Sequence, residues 1–194
     1  MFIAIDGPSG VGKTSIIEGI KNKLGNEKKI FITREPSETE FGQYVKKKEE
    51  IYSEEHYCML IASDRQYHID TIIQPRLTNG ETVICDRYIA SSLVLQNFDG
   101  VDIDKIWEMN KYILIPDIYI IVSASDKEIE ERLSKREHFS KFEKKMSRAE
   151  EIEYFSVAAH YLQKRNFNVL CLNNNKGDLE MNVHKIVKLI NELD

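Results

Sequence analysis

Eight residues near the amino terminus, Gly7-Pro-Ser-Gly-Val-Gly12-Lys13-Thr14, constrain this chain more than any other stretch. They follow the order glycine, four residues, then Gly-Lys-Thr, the pattern of a loop that wraps phosphates. From average composition, a chain of 194 residues matches that pattern by chance on the order of one time in a hundred. The flanks suit the match. Phe2-Ile-Ala-Ile5, ending in Asp6-Gly7, is a continuous apolar run of the kind buried on both faces of a parallel sheet. Ile16, Ile17, Ile20 and Leu24 then recur at helical spacing, and Gly25-Asn26 supplies a stop. Glycines let backbone N–H groups curl around phosphate oxygens, and the amino terminus of the following helix adds a favourable dipole. Gly7, Ser9, Gly10, Val11, Gly12, Lys13, Thr14 and Ser15 are therefore the expected nucleotide contacts. Lys13 would neutralise the β- and γ-phosphates of ATP, and the Thr14 hydroxyl would ligate Mg²⁺. A tight strand-to-helix turn with no ligand is the bland alternative.

The remainder of the chain repeats the alternation. Lys29-Ile-Phe-Ile-Thr33, Glu81-Thr-Val-Ile-Cys85, Ile118-Tyr-Ile-Ile-Val122 and Asn168-Val-Leu-Cys-Leu172 read as further strands, with helical segments between them. Glu54 to about Leu77 reads as one long helical stretch closed by Asn79-Gly80. Val183, Ile186, Val187, Ile190 and Leu193 give the last helix one apolar side. Strands separated by helices predict an α/β fold with a five-stranded parallel sheet, doubly wound. No repeat or linker divides the chain, so residues 1–194 are expected to form a single domain.

Composition excludes several classes. Lysine plus arginine number 27 against 32 acidic residues, a net charge of −5, which lacks the basic excess of a dedicated nucleic-acid binder. Cys58, Cys85 and Cys171 are far apart and odd in number, which suits neither a disulfide framework nor a zinc site, and all three are expected to be buried thiols. The five residues before Asp6 are too few for a signal peptide, and no apolar run approaches ~20 residues, so a cytoplasmic protein without membrane contact is expected.

A phosphate loop leaves switch, motor, ATPase and kinase open. Asp86-Arg87-Tyr88 narrows the choice, because it stands at the carboxyl end of a predicted strand, where open α/β sheets place their ligands. Asp86 can hold Mg²⁺ or accept a proton, and Arg87 can bind phosphoryl oxygens through two N–H groups. Arg34, just after the second strand, and Arg65, within the long helix, can reach the same sheet edge. With Lys13 they describe a cavity for two polyanions. Arg132 to Arg148, dense in lysine and arginine, suits either a solvated helix face or a mobile basic lid that keeps water from ATP.

Taken in order, these segments resemble the thymidylate kinases. The resemblance rests on Phe2 to Thr14, on Thr33-Arg-Glu-Pro36, and on Ile61-Ala-Ser-Asp-Arg65 with His68 and Pro75 behind it. Gly80 to Tyr88 with Ser91-Ser92 and Gln96, and Pro116-Asp117 with Glu131-Arg132-Leu133, continue it to about residue 165. It implies a P-loop kinase that passes a phosphoryl group from ATP, with Mg²⁺, to a nucleoside monophosphate, by default dTMP. On that resemblance Arg34 and Arg87 clamp the acceptor phosphate, and Arg65 approaches the base. Ile61, Ser92 and Gln96 complete the acceptor site, Tyr161 can approach it by family position although packing is its favoured role, and Asp86 belongs to the Mg²⁺ network. Gly10 stands where some relatives carry arginine, so Arg136, in a lid of about residues 136–147, becomes the expected source of charge stabilisation. A homodimer is implied as well. Three positions depart from the family pattern: Ile61 replaces phenylalanine, Ser9 an aspartate, and Leu95 a tyrosine. The lid carries Ser140-Lys-Phe-Glu143 where Asp-Arg-Phe-Glu is usual. Another nucleotide, or a nucleoside, is the alternative acceptor, and nucleotide binding without transfer is the non-enzymatic alternative.

Overall fold

The computed structural model describes residues 1–49, 51–134 and 145–193. Strands β1 (Phe2–Asp6), β2 (Ile30–Arg34), β3 (Thr82–Asp86), β4 (Ile118–Ser123) and β5 (Val169–Asn173) pair in parallel in the order β2-β3-β1-β4-β5. Every expected strand is present with boundaries within one residue of the sequence reading. The ladder runs one position further than apolarity suggests, because Asp6, Arg34 and Asp86 still pair: Ile5 lies opposite Asp86, Arg34 opposite Asp86, and Asp6 opposite Ile121.

The helices follow the strands: α1 (Lys13–Leu24), α2 (Glu40–Lys46), α3 (Glu54–His68), α4 (Gln74–Thr78) and α5 (Ile89–Phe98) in the first half. Then come α6 (Ile103–Met109), α7 (Asp126–Leu133), α8 (Arg148–Gln163) and α9 (Leu179–Leu193). Alternate side chains of β1 go to opposite faces. Ile3 and Ile5 join Ile84, Ile118, Ile120 and Val122 against α1 and α9, while Phe2 and Ala4 join Val83, Tyr119 and Ile121 against α5 and α8. Coverage on both faces explains why β1 reads as an unbroken apolar run.

The long stretch after Ser53 is not one helix. It passes from α3 through a π-helical turn, Ile69–Ile73, into α4. Pro75 explains the break, since it brings no N–H to the ladder and its ring crowds the carbonyl four residues back. One other expectation is corrected. Cys58 and Cys85 are buried, but Cys171 is exposed because β5 is an edge strand. Tyr119 is fully buried in the core, and Tyr112 is 82% exposed.

The strand order places β3 and β2 on one side of β1 and β4 and β5 on the other, so connections leave the sheet centre in opposite directions. A crevice opens at the carboxyl ends of such strands. The loop after β1, the segment after β2 and the turn after β3 all lie there.

Candidate active site

The loop after β1 enters α1 through Gly12, whose φ of +94° lies in the left-handed region that favours glycine. A Cβ at that position would stand 2.6 Å from Asn174 Nδ2. Lys13 is buried, and its ammonium donates to the carbonyls of Gly7 at 2.7 Å and Pro8 at 2.9 Å. Burial, helped by the charge of Arg87, pushes its pKa down to about 7. Thr14 and Ser15 are exposed on the first turn of α1.

Beside the loop lies a cavity of about 540 Å³ whose wall includes Ser9, Arg34, Arg65, Arg87, Ile61, Ser92, Leu95 and Gln96. Its volume falls within the usual range for small-molecule sites. Arg87 projects from a turn where it adopts φ +70°, an uncommon conformation for a residue with a side chain. That turn is held at two points: the Arg87 N–H donates to the Ile5 carbonyl at 2.9 Å, and the Tyr88 N–H donates to the Asp6 carboxylate at 2.8 Å. The guanidinium then donates to Ser91 Oγ at 3.3 Å and Ser9 Oγ at 3.5 Å. The last contact joins the cavity to the phosphate loop.

Asp6 was missed at the sequence level. It is fully buried and also accepts from Tyr119 Oη at 2.6 Å and Ser91 Oγ at 2.5 Å. Burial raises its pKa above the ordinary carboxylate value, while those donors oppose the shift. A carboxylate directly before a glycine-rich loop was the available signal. Glu151 is a second omission. Only 3% exposed on α8, it lines the cavity, accepts the Ser9 N–H at 3.0 Å and pairs with Arg148 at 2.9 Å. It thus brings a carboxylate to the phosphate loop at Ser9.

Arg65 lies in the cavity wall at 1% exposure, with most of its donors engaged. It donates to Glu35 at 2.7 Å, Asn110 Oδ1 at 2.5 Å, Ser92 Oγ at 2.9 Å and the Tyr88 carbonyl at 3.4 Å. It therefore ties together four segments around the cavity. Its neighbour Asp64 accepts from the Ser37 backbone and hydroxyl at 2.7 and 2.6 Å, fixing the approach to α2. Gln96 is 5% exposed, and its Oε1 has no hydrogen-bond partner among the described residues.

Asp86 Oδ1 is likewise buried without a partner among the described residues. A hard cation takes oxygen ligands, so this oxygen at the carboxyl end of β3 and the exposed Thr14 hydroxyl suit Mg²⁺. A second grouping is less suited to a metal. Ligand-type atoms of Glu35, His68 and Cys85 lie within 4.8 Å of one another, but Arg65 already neutralises Glu35 and His68 Nε2 is bonded to Thr33 Oγ1 at 2.7 Å. Burial, then Glu35, holds the Cys85 thiol well above its ordinary pKa.

Tyr161 is not in this site. Its hydroxyl donates to Asp104 at 2.6 Å and Arg165 lies 3.5 Å over its ring, so it packs at the α6–α8 contact, the role the sequence reading favoured over an approach to the acceptor. Arg132, grouped with the basic lid from sequence, turns instead onto the back of the phosphate loop. Arg136 and residues 136–144 of the expected lid lie outside the described residues. No helix among the described residues is long and apolar enough to cross a membrane.

Comparison with known proteins agrees with this geometry. The family model described as thymidylate kinase matches residues 5–186. A probable thymidylate kinase of Thermococcus kodakarensis is 30% identical over 100% of this chain and 98% of its own length. One from Thermococcus onnurineus is 31% identical over 88% and 90%. Another, from Archaeoglobus fulgidus, is 36% identical over 74% of each chain.

Proposed function

Because the chain belongs to the thymidylate kinase family, we propose that it transfers the terminal phosphoryl group of ATP to dTMP, bound in the cavity beside the phosphate loop. The observation that carries this reading is the 3.5 Å contact between Arg87 and Ser9. With the Arg87 guanidinium against the phosphate loop, an acceptor phosphate gripped by Arg87 would lie next to the donor phosphates, as in-line transfer requires, and this supports the reading.

In this reading Gly7, Ser9, Gly10, Val11, Gly12, Lys13, Thr14 and Ser15 hold ATP, and the Lys13 ammonium leaves the Gly7 and Pro8 carbonyls for the phosphates. Arg34 and Arg87, both in the cavity wall, grip the acceptor phosphate. Ile61, Leu95, Ser92 and Gln96 surround the nucleoside, with the open Gln96 oxygen available to an N–H of the base. Arg65 contributes mainly by fixing the wall. Thr14 and Asp86 would hold Mg²⁺, which when bound neutralises charge on the β- and γ-phosphates. Arg136 would close over the site from a lid, excluding water. A single domain, a homodimer and a cytoplasmic setting complete the proposal.

The test is ADP production with ATP and Mg²⁺ against a panel of nucleoside monophosphates and the matching nucleosides. The expected result is turnover of monophosphates, dTMP foremost, with nucleosides inert. Turnover of nucleosides alone would remove the phosphate clamp. ATP binding with no transfer to any acceptor would overturn the assignment as an enzyme.

A further inference from the structure

The phosphate loop is held from behind by Arg132 and Asn174. Val11 O accepts from Asn174 Nδ2 at 2.7 Å and Arg132 Nη1 at 2.9 Å, and Gly10 O accepts from the same Arg132 nitrogen at 3.3 Å. Arg132 Nη2 also donates to the Asn174 carbonyl at 2.8 Å and pairs with Glu128 at 2.9 Å, so the guanidinium is fixed on several sides. Asn174 is fixed in turn by Asn182 on α9, whose Nδ2 reaches Asn174 Oδ1 at 3.2 Å and the Asn173 carbonyl at 2.7 Å. Both asparagines are buried, at 3% and 4% exposure, and Asn174 lies against the face of Gly12 that a side chain would occupy.

A trans peptide is planar, so its C=O and N–H point in opposite directions. Holding the Gly10 and Val11 carbonyls toward Arg132 and Asn174 therefore turns the N–H groups of Val11 and Gly12 the other way. Those two amides belong to the stretch that would receive the donor phosphates, and donors already aimed at an anion need no reorganisation when it arrives. We propose that Asn174, Asn182 and Arg132 are positioning residues for the phosphoryl donor: they set the loop carbonyls outward so that the loop amides converge on phosphate. The relay runs from the first turn of α9, through the end of β5, to the loop. Among the described residues, none of its hydrogen bonds or ion pairs reaches a side chain that lines the acceptor cavity.

This inference rests on the reading of the loop as the site of the ATP phosphates, and the experiment separates the two. Binding of inorganic tripolyphosphate, ATP and dTMP is measured calorimetrically on the wild type, Asn174→Ala and Asn182→Ala. Tripolyphosphate has no base or sugar, so it reports the loop alone. Asn174→Ala is expected to weaken tripolyphosphate and ATP equally, by roughly three- to ten-fold, the scale of one buried hydrogen bond, and to leave dTMP within about two-fold. Asn182→Ala, which leaves the Asn174 side chain in place, is expected to give a smaller loss in the same two ligands and supplies the answer if Asn174→Ala fails to fold. Unchanged tripolyphosphate binding in both variants overturns the inference. So does a loss confined to ATP, which would mark a contact with the base, and so does an equal loss of dTMP, which would mark a general structural role. A wild type that binds no tripolyphosphate would instead sink the reading of the loop itself.

Discussion

The carboxylate of Asp6, the last residue of β1, accepts the backbone N–H of Tyr88 at 2.8 Å across the sheet. The strand that leads into the phosphate loop thereby also sets the turn that carries Arg87, so the two halves of the site share one buried anchor. Ser91 extends the link, since it donates to Asp6 at 2.5 Å and accepts from Arg87 at 3.3 Å.

Removing that anchor strands three buried donors, from Tyr88, Tyr119 and Ser91. Asp6→Ala is expected to lower unfolding stability by about 3 kcal/mol, the scale for unsatisfied buried polar groups. Urea unfolding of the purified variant reads this directly. A midpoint equal to that of the wild type would mean the network is not holding the turn.

Lys13 provides a pH-dependent prediction. In the free protein burial and Arg87 bring its pKa to about 7, so at pH 8 it is mostly neutral and at pH 6 mostly charged. Phosphates laid against it favour the ammonium, so ATP binding at pH 8 should take up close to one proton through this residue, and far less at pH 6. The terminal phosphate of ATP, with a pKa of roughly 6, is already ionised at pH 8 and does not mask the signal. Calorimetry in two buffers of different ionisation enthalpy measures the uptake; none at pH 8 would place Lys13 as charged throughout. Lys13→Ala should stay folded and lose activity by about a thousand-fold, the scale of a lost transition-state charge contact.

Arg87 lines the cavity and contacts the loop at Ser9. Arg87→Ala is expected to raise the acceptor KM by about ten- to a hundred-fold, the scale of a charged hydrogen bond pair, with a much smaller change in the KM for ATP. Steady-state kinetics with each substrate varied in turn gives the split. Equal changes in both KM values would show that Arg87 serves the loop rather than the acceptor.

Ile61 lines the cavity where an aromatic ring would present a flat face to a base. Ile61→Phe is expected to tighten dTMP by about two- to ten-fold, the range of an added aromatic contact. Titration of dTMP into the variant decides it, and an unaltered affinity would put the base elsewhere in the cavity.

Much of this was legible before the structure. Buried parallel strands advertise themselves by unbroken apolar runs, and the phosphate loop by glycines whose backbone conformation few other residues tolerate. Arg34, Arg65 and Arg87 could be placed at one sheet edge because each stands at or near an element end that the topology brings there. What escaped was orientation. Nothing in a one-dimensional pattern says that Arg65 would spend its donors on Asn110 and Ser92, 45 and 27 residues away. The same is true of Arg132, which turns back onto Gly10 and Val11 although its neighbours in sequence form a basic run. Glu151, 142 residues from its partner Ser9, shows the limit most plainly: a buried carboxylate among helical acids carries no local mark.

The central claim is that the arginine-lined cavity holds the acceptor of a phosphoryl group from ATP. Phosphorus NMR of the purified protein with ATP, Mg²⁺ and dTMP tests it most directly. The account predicts ADP and dTDP appearing in equal amounts, with neither formed by Lys13→Ala. ADP formed without dTDP, or no consumption of ATP at saturating dTMP, would contradict it.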